Sequence, residues 1–159
     1  MALPATDLAR ARLLALLIPA GLLGGAYVSQ YGFGLFPCEM CWWQRYPHFA
    51  ALPLALIGFA MPARRWPVAL AALAVMVSGL IGLYHAGVEY KWWEGITHCA
   101  STVHRTGGNV LDDIMNAPLI RCDEPQWTLL GISLAGFNFL FSVGGALVVF
   151  RLLQRSRKA

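Results

Sequence analysis

Four apolar runs divide the chain. The first extends from Leu13 to about Tyr31 without a charge, and the last from Trp127 to Phe150, also uncharged. Between them, the second extends from about Trp42 to Met61 with Arg45 and His48 near its start. The third extends from Pro67 to Val88 and includes His85. A helix needs roughly 20 apolar residues to cross a bilayer, so each run predicts a transmembrane helix. No sustained alternation of the kind that builds a membrane barrel is present. The expected fold is an all-α membrane protein: one domain over 1–159, a four transmembrane helix bundle with two loops on one side, about 32–41 and 89–126. Arg10 and Arg12 ahead of the first run resemble the start of a signal peptide. That run is long for a signal core and three more follow, so it is expected to stay as a span.

Composition agrees. Of 159 residues, 58% are hydrophobic and 13% charged, against about 45–50% and about 25% in soluble domains. The charges also orient the bundle. Arg10, Arg12, Arg64, Arg65, Arg151, Arg155, Arg157 and Lys158 fall on one side, with Asp7 as their only acid. The other side carries Arg45, Lys91, Arg105 and Arg121 and the other seven acids. The positive-inside rule then puts both termini in the cytoplasm. The net charge of +4 follows from this topology, so nucleic acid is not an expected partner. Trp42, Trp43, Trp92, Trp93 and Trp127 near outer span ends and Trp66 at an inner end fit an interfacial belt. Gly21, Gly25, Gly79, Gly82, Gly144 and Gly145 are expected to let helices approach closely, with the Gly21/Gly25 GxxxG packing inside the bundle.

All four cysteines fall on the outer side. Cys38 and Cys41 form Cys-Glu-Met-Cys at the start of the second span, and Cys99 and Cys122 lie in the long loop. In an oxidising compartment such as the bacterial periplasm, disulfides persist. Spacing alone leaves a redox pair, inert structural disulfides and a zinc site open, and four cysteines allow three pairings. A zinc site usually shows two close ligand pairs, and here only one pair is close. Pro37 suits the start of a helix. Cys38, Cys41, Arg45 and His48 share a face if the helix continues through them. Pro47 opposes that continuity, because it leaves the Trp43 carbonyl unpaired; a helix starting near Tyr46 is the other geometry. Either way Arg45 stays near Cys41. It is able to snorkel to headgroups, or to hold a carbonyl oxygen of a ring cofactor and stabilise its reduced anion.

The segment Cys38-Glu-Met-Cys41-Trp-Trp-Gln44-Arg45-Tyr-Pro47-His48 closely resembles the C-x-x-C-x-x-Q-R-x-P segment of the DsbB family of disulfide bond formation proteins. The resemblance extends to the later pair, the four spans and the two outer loops. It implies a protein-disulfide:quinone oxidoreductase of the bacterial inner (cytoplasmic) membrane. A DsbA-like periplasmic thioredoxin-fold protein would meet a Cys99–Cys122 disulfide and form a mixed disulfide with Cys99. Cys122 would exchange with Cys38. Cys41 would face a membrane quinone, ubiquinone or menaquinone, with Arg45 beside it. His85, four residues before Glu89 on one helix face, is the further quinone-binding candidate; a packed His85–Glu89 pair is the alternative. No metal is expected. In the loop, Thr106-Gly107-Gly108-Asn109 is turn-prone, Leu111–Met115 has helical spacing suited to a short helix on the membrane, and His98 and His104 are expected in water. Vitamin-K-epoxide-reductase-like proteins use similar chemistry but carry the loop pair before the CxxC. Two other readings are a haem protein ligated by His48 and His85 and an inert anchor stapled by disulfides.

Overall fold

The computed structural model describes residues 4–97, 100–101 and 119–156. Four long helices account for most of them: α1 (Pro4–Gly32), α2 (Glu39–Ala60), α3 (Trp66–Glu89) and α4 (Leu134–Arg155). Two short antiparallel pairs complete the elements. β1 (Ala100–Ser101) pairs with β2 (Leu119–Ile120), and β3 (Thr128–Leu129) with β4 (Ile132–Ser133). α1, α3 and α4 are long and apolar enough to cross a membrane, which makes this a multi-pass membrane protein. Cys99, His98, His104, Thr106–Asn109 and Leu111–Met115 lie outside the described residues.

Three of the four helices have a local reason to start or stop. Cys38 caps α2, its sulfur accepting from the Cys41 amide. Ser133 caps α4 by accepting from the Gly136 amide at 3.1 Å, which satisfies one of the orphan N–H groups of a first turn. α3 carries Pro67 in its first turn. It ends in a Schellman turn: Lys91 N–H reaches Val88 O at 3.1 Å and Trp92 N–H reaches Gly87 O at 2.8 Å. Lys91 takes the left-handed conformation this turn requires, with φ 59°. The reversal sends the chain back along α3, so that the Trp93 indole stacks on Tyr84. A Cβ on Gly87 would meet that indole at 2.0 Å, so only glycine seats it.

Two helix starts differ from the expected runs: α1 begins at Pro4 instead of Leu13, and α4 at Leu134 instead of Trp127. Residues 127–133 form the β3–β4 hairpin and its lead-in instead of the first turns of α4, because Leu130 and Gly131 at positive φ close a two-residue turn. α2 continues through Pro47 and Pro53. The ring of Pro47 removes one backbone bond, but tertiary contacts keep the axis helical, including the Ser78 hydroxyl donating to Gln44 O at 2.7 Å.

The core has two parts. At the end that holds both termini, Ala11, Ala15, Ala51, Ala55, Ala71, Ala72 and Ala146 pack with Val68, Val75, Val149 and Leu153. Arg12 donates to Pro62 O and Arg65 to Ser156 O, tying the α2–α3 loop to α1 and α4. At the opposite end, Cys38, Met40, Val88, Ile120 and Cys122 form a second buried cluster. Gly79 and Gly82 on α3 do serve close packing: a Cβ at Gly79 would lie 2.8 Å from Val143, and one at Gly82 2.9 Å from Ala135 O. Gly145 is likewise closed off by Ile18. Gly21, Gly25 and Gly144 are not packing contacts, since a Cβ on any of them meets nothing within 4 Å. The GxxxG of α1 faces open space.

Candidate active site

Three of the four cysteines converge. The Cys38 and Cys41 sulfurs are 2.7 Å apart, and both are thiols. Cys122 arrives from the segment after β2 and hydrogen-bonds to Cys38. Cys38 is therefore the central sulfur, with one thiol on each side. The two outer-loop groups are tuned in opposite directions. Cys122 is lowered to about 6, first by its hydrogen bond with Cys38, against an opposing effect of burial. Hydroxyl and backbone contacts from Thr97, Met40 and Glu39 lower it further. Two of those backbone contacts are at the start of α2, where a helix favours negative charge. Cys38 is pushed up, because it holds its proton between Cys122 and Cys41 and is buried. This is an arrangement for thiol–disulfide exchange: a thiolate next to the sulfur it must reach.

Arg45 is one turn further along α2 and is 6% exposed. It does not snorkel. Its guanidinium donates to Gln30 Oε1 at 2.7 Å and to Ala26 O at 3.3 Å, both on α1. Tyr27 and Trp42 sandwich it, their ring centroids 5.1 and 5.0 Å from Cζ. Arg45 and Cys41 share the wall of a cavity of about 270 Å³ with His48, His85, Asn138 and the open glycines of α1. Most of the remaining wall is apolar, including Leu22, Phe137 and Phe141. The site thus joins a dithiol, a buried cation and an apolar chamber.

Part of the cavity wall is a polar network that the chain pattern did not reveal. Asn138 donates to Gln44 Oε1 at 2.9 Å, and Gln44 Nε2 is 2.8 Å from His85 Nδ1. His85 Nε2 is in turn 3.6 Å from Cys38 Sγ and 3.7 Å from Glu89 Oε1. His48 Nε2 lies 3.0 Å from Asn138 Oδ1 and 2.9 Å from Ser78 Oγ. Ser142 donates to Asn138 Oδ1 at 2.9 Å. Gln44, His48, Ser78, His85 and Ser142 are all buried. Sequence reasoning picked out His48 and His85 but missed Gln44, Asn138, Ser78 and Ser142 as a unit. The available signal was Asn138 and Ser142, four apart in an otherwise apolar helix, because polar groups at membrane depth are costly unless partnered.

The family model for disulfide bond formation protein DsbB matches residues 9–152. The chain belongs to the DsbB family. Disulfide bond formation protein B of Pseudomonas syringae pv. tomato is 32% identical over 154 residues, covering 89% of this chain and 87% of the relative. That of Marinobacter nauticus is 29% identical, covering 89% and 90%. Uncharacterized protein RP370 of Rickettsia prowazekii is 24% identical, covering 76% and 73%. No solved structure matches the chain. As a DsbB-family member the protein is a membrane protein of disulfide bond formation, with the oxidoreductase role that implies.

Proposed function

We propose that the protein oxidises a DsbA-like periplasmic dithiol protein and delivers the electrons to a membrane quinone, ubiquinone or menaquinone. The observation that carries this reading is the shared wall of Cys41 and Arg45 on one largely apolar cavity, with Cys38 linking Cys41 to Cys122. A ring acceptor fits: a 150 Å³ apolar cavity accepts benzene, and about 270 Å³ leaves room for ring substituents. When bound, a quinone supplies the two-electron sink. Arg45 offers a fixed cation to a ring oxygen that gains charge, and His85 lines the same wall.

The overall balance is one partner dithiol plus one quinone giving one partner disulfide plus one quinol. Two electrons and two protons move. On the protein side, Cys99 takes the partner in a mixed disulfide, which frees Cys122. The Cys122 thiolate attacks Cys38 of the Cys38–Cys41 disulfide, and Cys41 leaves as a thiolate at the cavity wall. The partner's second thiolate then attacks its own sulfur bonded to Cys99 and leaves as the disulfide, and the freed Cys99 thiolate attacks Cys122, which restores Cys99–Cys122 and releases Cys38 as a thiol. Cys38 and Cys41 close to a disulfide as their electron pair passes to the acceptor, which resets the site.

We assign α2 as the fourth span. Its 22 residues reach about 33 Å at 1.5 Å per residue. Its polar side chains Gln44, Arg45 and His48 are buried against the other helices and so do not meet lipid. The charge bias supports cytoplasmic termini in the bacterial inner membrane, with both cysteine loops periplasmic. A bis-histidine haem is less well supported, because His85 Nδ1 and His48 Nε2 are engaged inside the protein.

The test is turnover. Purified protein, a reduced thioredoxin-like periplasmic protein and a quinone are mixed, and thiol loss and quinol formation are followed together. Equal stoichiometry of the two supports the reading. Thiol loss without quinol, or no turnover with any quinone type, overturns it.

A further inference from the structure

The buried amides around His85 have only one consistent orientation. Two backbone carbonyls fix it. Met40 O faces Gln44 Nε2 at 3.1 Å and Ser78 O faces Asn138 Nδ2 at 3.2 Å. A carbonyl accepts, so both amide nitrogens must point as they do. Asn138 Oδ1 is then left to accept from Ser142 and His48, and Gln44 Oε1 to accept from Asn138. Gln44 Nε2 has a second N–H, and at 2.8 Å it is directed at His85 Nδ1. Nδ1 must therefore be the bare nitrogen of the ring.

With Nδ1 bare, Nε2 carries the proton, and it faces the Cys38 sulfur at 3.6 Å and the Glu89 carboxylate at 3.7 Å, each able to accept. Cys38 Sγ is in turn 2.7 Å from Cys41 Sγ. The donors run in one direction, Asn138 to Gln44 to His85 to Cys38. Aligned hydrogen bonds polarise one another in a low-dielectric interior, and the thiolate is the reactive form of cysteine.

We propose that Gln44 and Asn138 are positioning residues that hold His85 in its Nε2–H tautomer, so that a one-way hydrogen-bond chain from α4 ends on the redox sulfurs and stabilises their negative charge. The inference rests on reading those sulfurs as redox-active, and not on which molecule takes the electrons. It also gives Asn138, the fifth residue of α4, a task at a thiol it does not touch.

The groups that face His85 are the Cys38 sulfur with Cys41 behind it, the backbone of Cys122, Glu89 on its own helix and Gln44 on α2. Tautomer identity is read directly from imidazole 15N shifts in protein labelled at histidine, with His85→Asn used for assignment. In the reduced wild-type protein we expect His85 Nδ1 unprotonated and Nε2 protonated. Gln44→Glu puts an acceptor where a donor stood, so Nδ1 should gain a proton. Alkylation of Cys41 in the reduced protein, followed at neutral pH by mass spectrometry, reports the thiolate. Gln44→Leu and Asn138→Leu should each slow it roughly tenfold. The double variant should be no slower than either single one, because both cut the same chain. A protonated Nδ1 in the wild type overturns the proposal, and so does an unchanged alkylation rate or fully additive losses. The wild-type spectrum needs no variant to fold. None of these measurements uses a quinone, so failure of the turnover reading would leave them intact.

Discussion

At the end of the bundle that holds both termini, alanines from all four helices meet with almost no exposed surface. At the other end, the same four helices surround thiols, imidazoles, amides, a guanidinium and a cavity of about 270 Å³. The first end is held by proximity, since small side chains let backbones approach and gain dispersion contacts in a medium with little hydrophobic drive between helices. The second is held by mutual satisfaction of polar atoms, each costly if left alone. Glycine serves both purposes beside the open end: on α3 Gly82 closes a contact against Asn138, and on α1 Gly21 and Gly25 open a chamber. A closed end thus anchors the helices, and the open end is free to place chemistry at membrane depth.

The largest expected effect separates the ends completely. Cys41→Ser should reduce quinol formation to the background rate, because the proposed relay delivers its electrons through that sulfur. The alanine end should be untouched, so the thermal midpoint in detergent should not move. Residual turnover, or a stapled-anchor function that survives the change, would break the functional half of the contrast. Arg45→Met should come next. Removing one preorganised cation from a developing anion costs about a hundredfold, read as kcat/KM for quinone. Arg45 also binds Gln30 and Ala26 on α1, so Arg45→Lys serves as the comparison that keeps charge. Exchange between Cys122 and Cys38, followed without quinone, should keep its rate in both variants.

A pair of glycine variants sharpens the structural half. Gly82→Val drives a side chain into Ala135 O, Asn138 and the Phe139 amide, and overpacking of this kind costs about 1–3 kcal/mol. Gly25→Val points into open space. It should leave the unfolding midpoint unchanged and raise KM for quinone, because it occupies the cavity that Gly25 lines. Equal destabilisation by the two would mean that α1 and α3 use glycine alike.

Much of this was readable from the chain. Uncharged runs and the burial cost of backbone polar groups in lipid fix helices over long stretches, so α3 lies within a few residues of its expected run, whereas α1 begins nine residues before Leu13 and α4 seven residues after Trp127. There, Leu130-Gly131 forms a hairpin turn inside an apolar run, and hydropathy does not distinguish the two. Cys38, Cys41 and Arg45 were legible because their spacing places them on one face of one helix. The Gln44–Asn138 bond was not, since it joins residues from helices whose relative rotation is set by packing. The same reason misled the reading of Gly21 and Gly25: a GxxxG records what a helix permits, and not which neighbour takes the space. Cys99 was legible only through the family resemblance, and it lies outside the described residues.

The smallest effect concerns the link between the outer segment and α2. Cys122 is lowered to about 6, with its hydrogen bond to Cys38 the leading cause. A lowered thiol is a thiolate above its midpoint and regains its proton below it. Alkylation of Cys122 should therefore be nearly independent of pH above about 7 and fall about tenfold per pH unit well below 6. The measurement is peptide-resolved alkylation in a Cys99→Ser background, where no disulfide masks Cys122. Cys38→Ala removes the leading cause, so the midpoint should move up toward the ordinary value for a thiol and the rate at pH 7 should fall. The backbone amides of Glu39 and Met40 remain in that variant, so the return should stop short. A wild-type midpoint already near the ordinary value would show that Cys122 does not rest on Cys38, and the thiol end would lose the contact that makes its three sulfurs one relay.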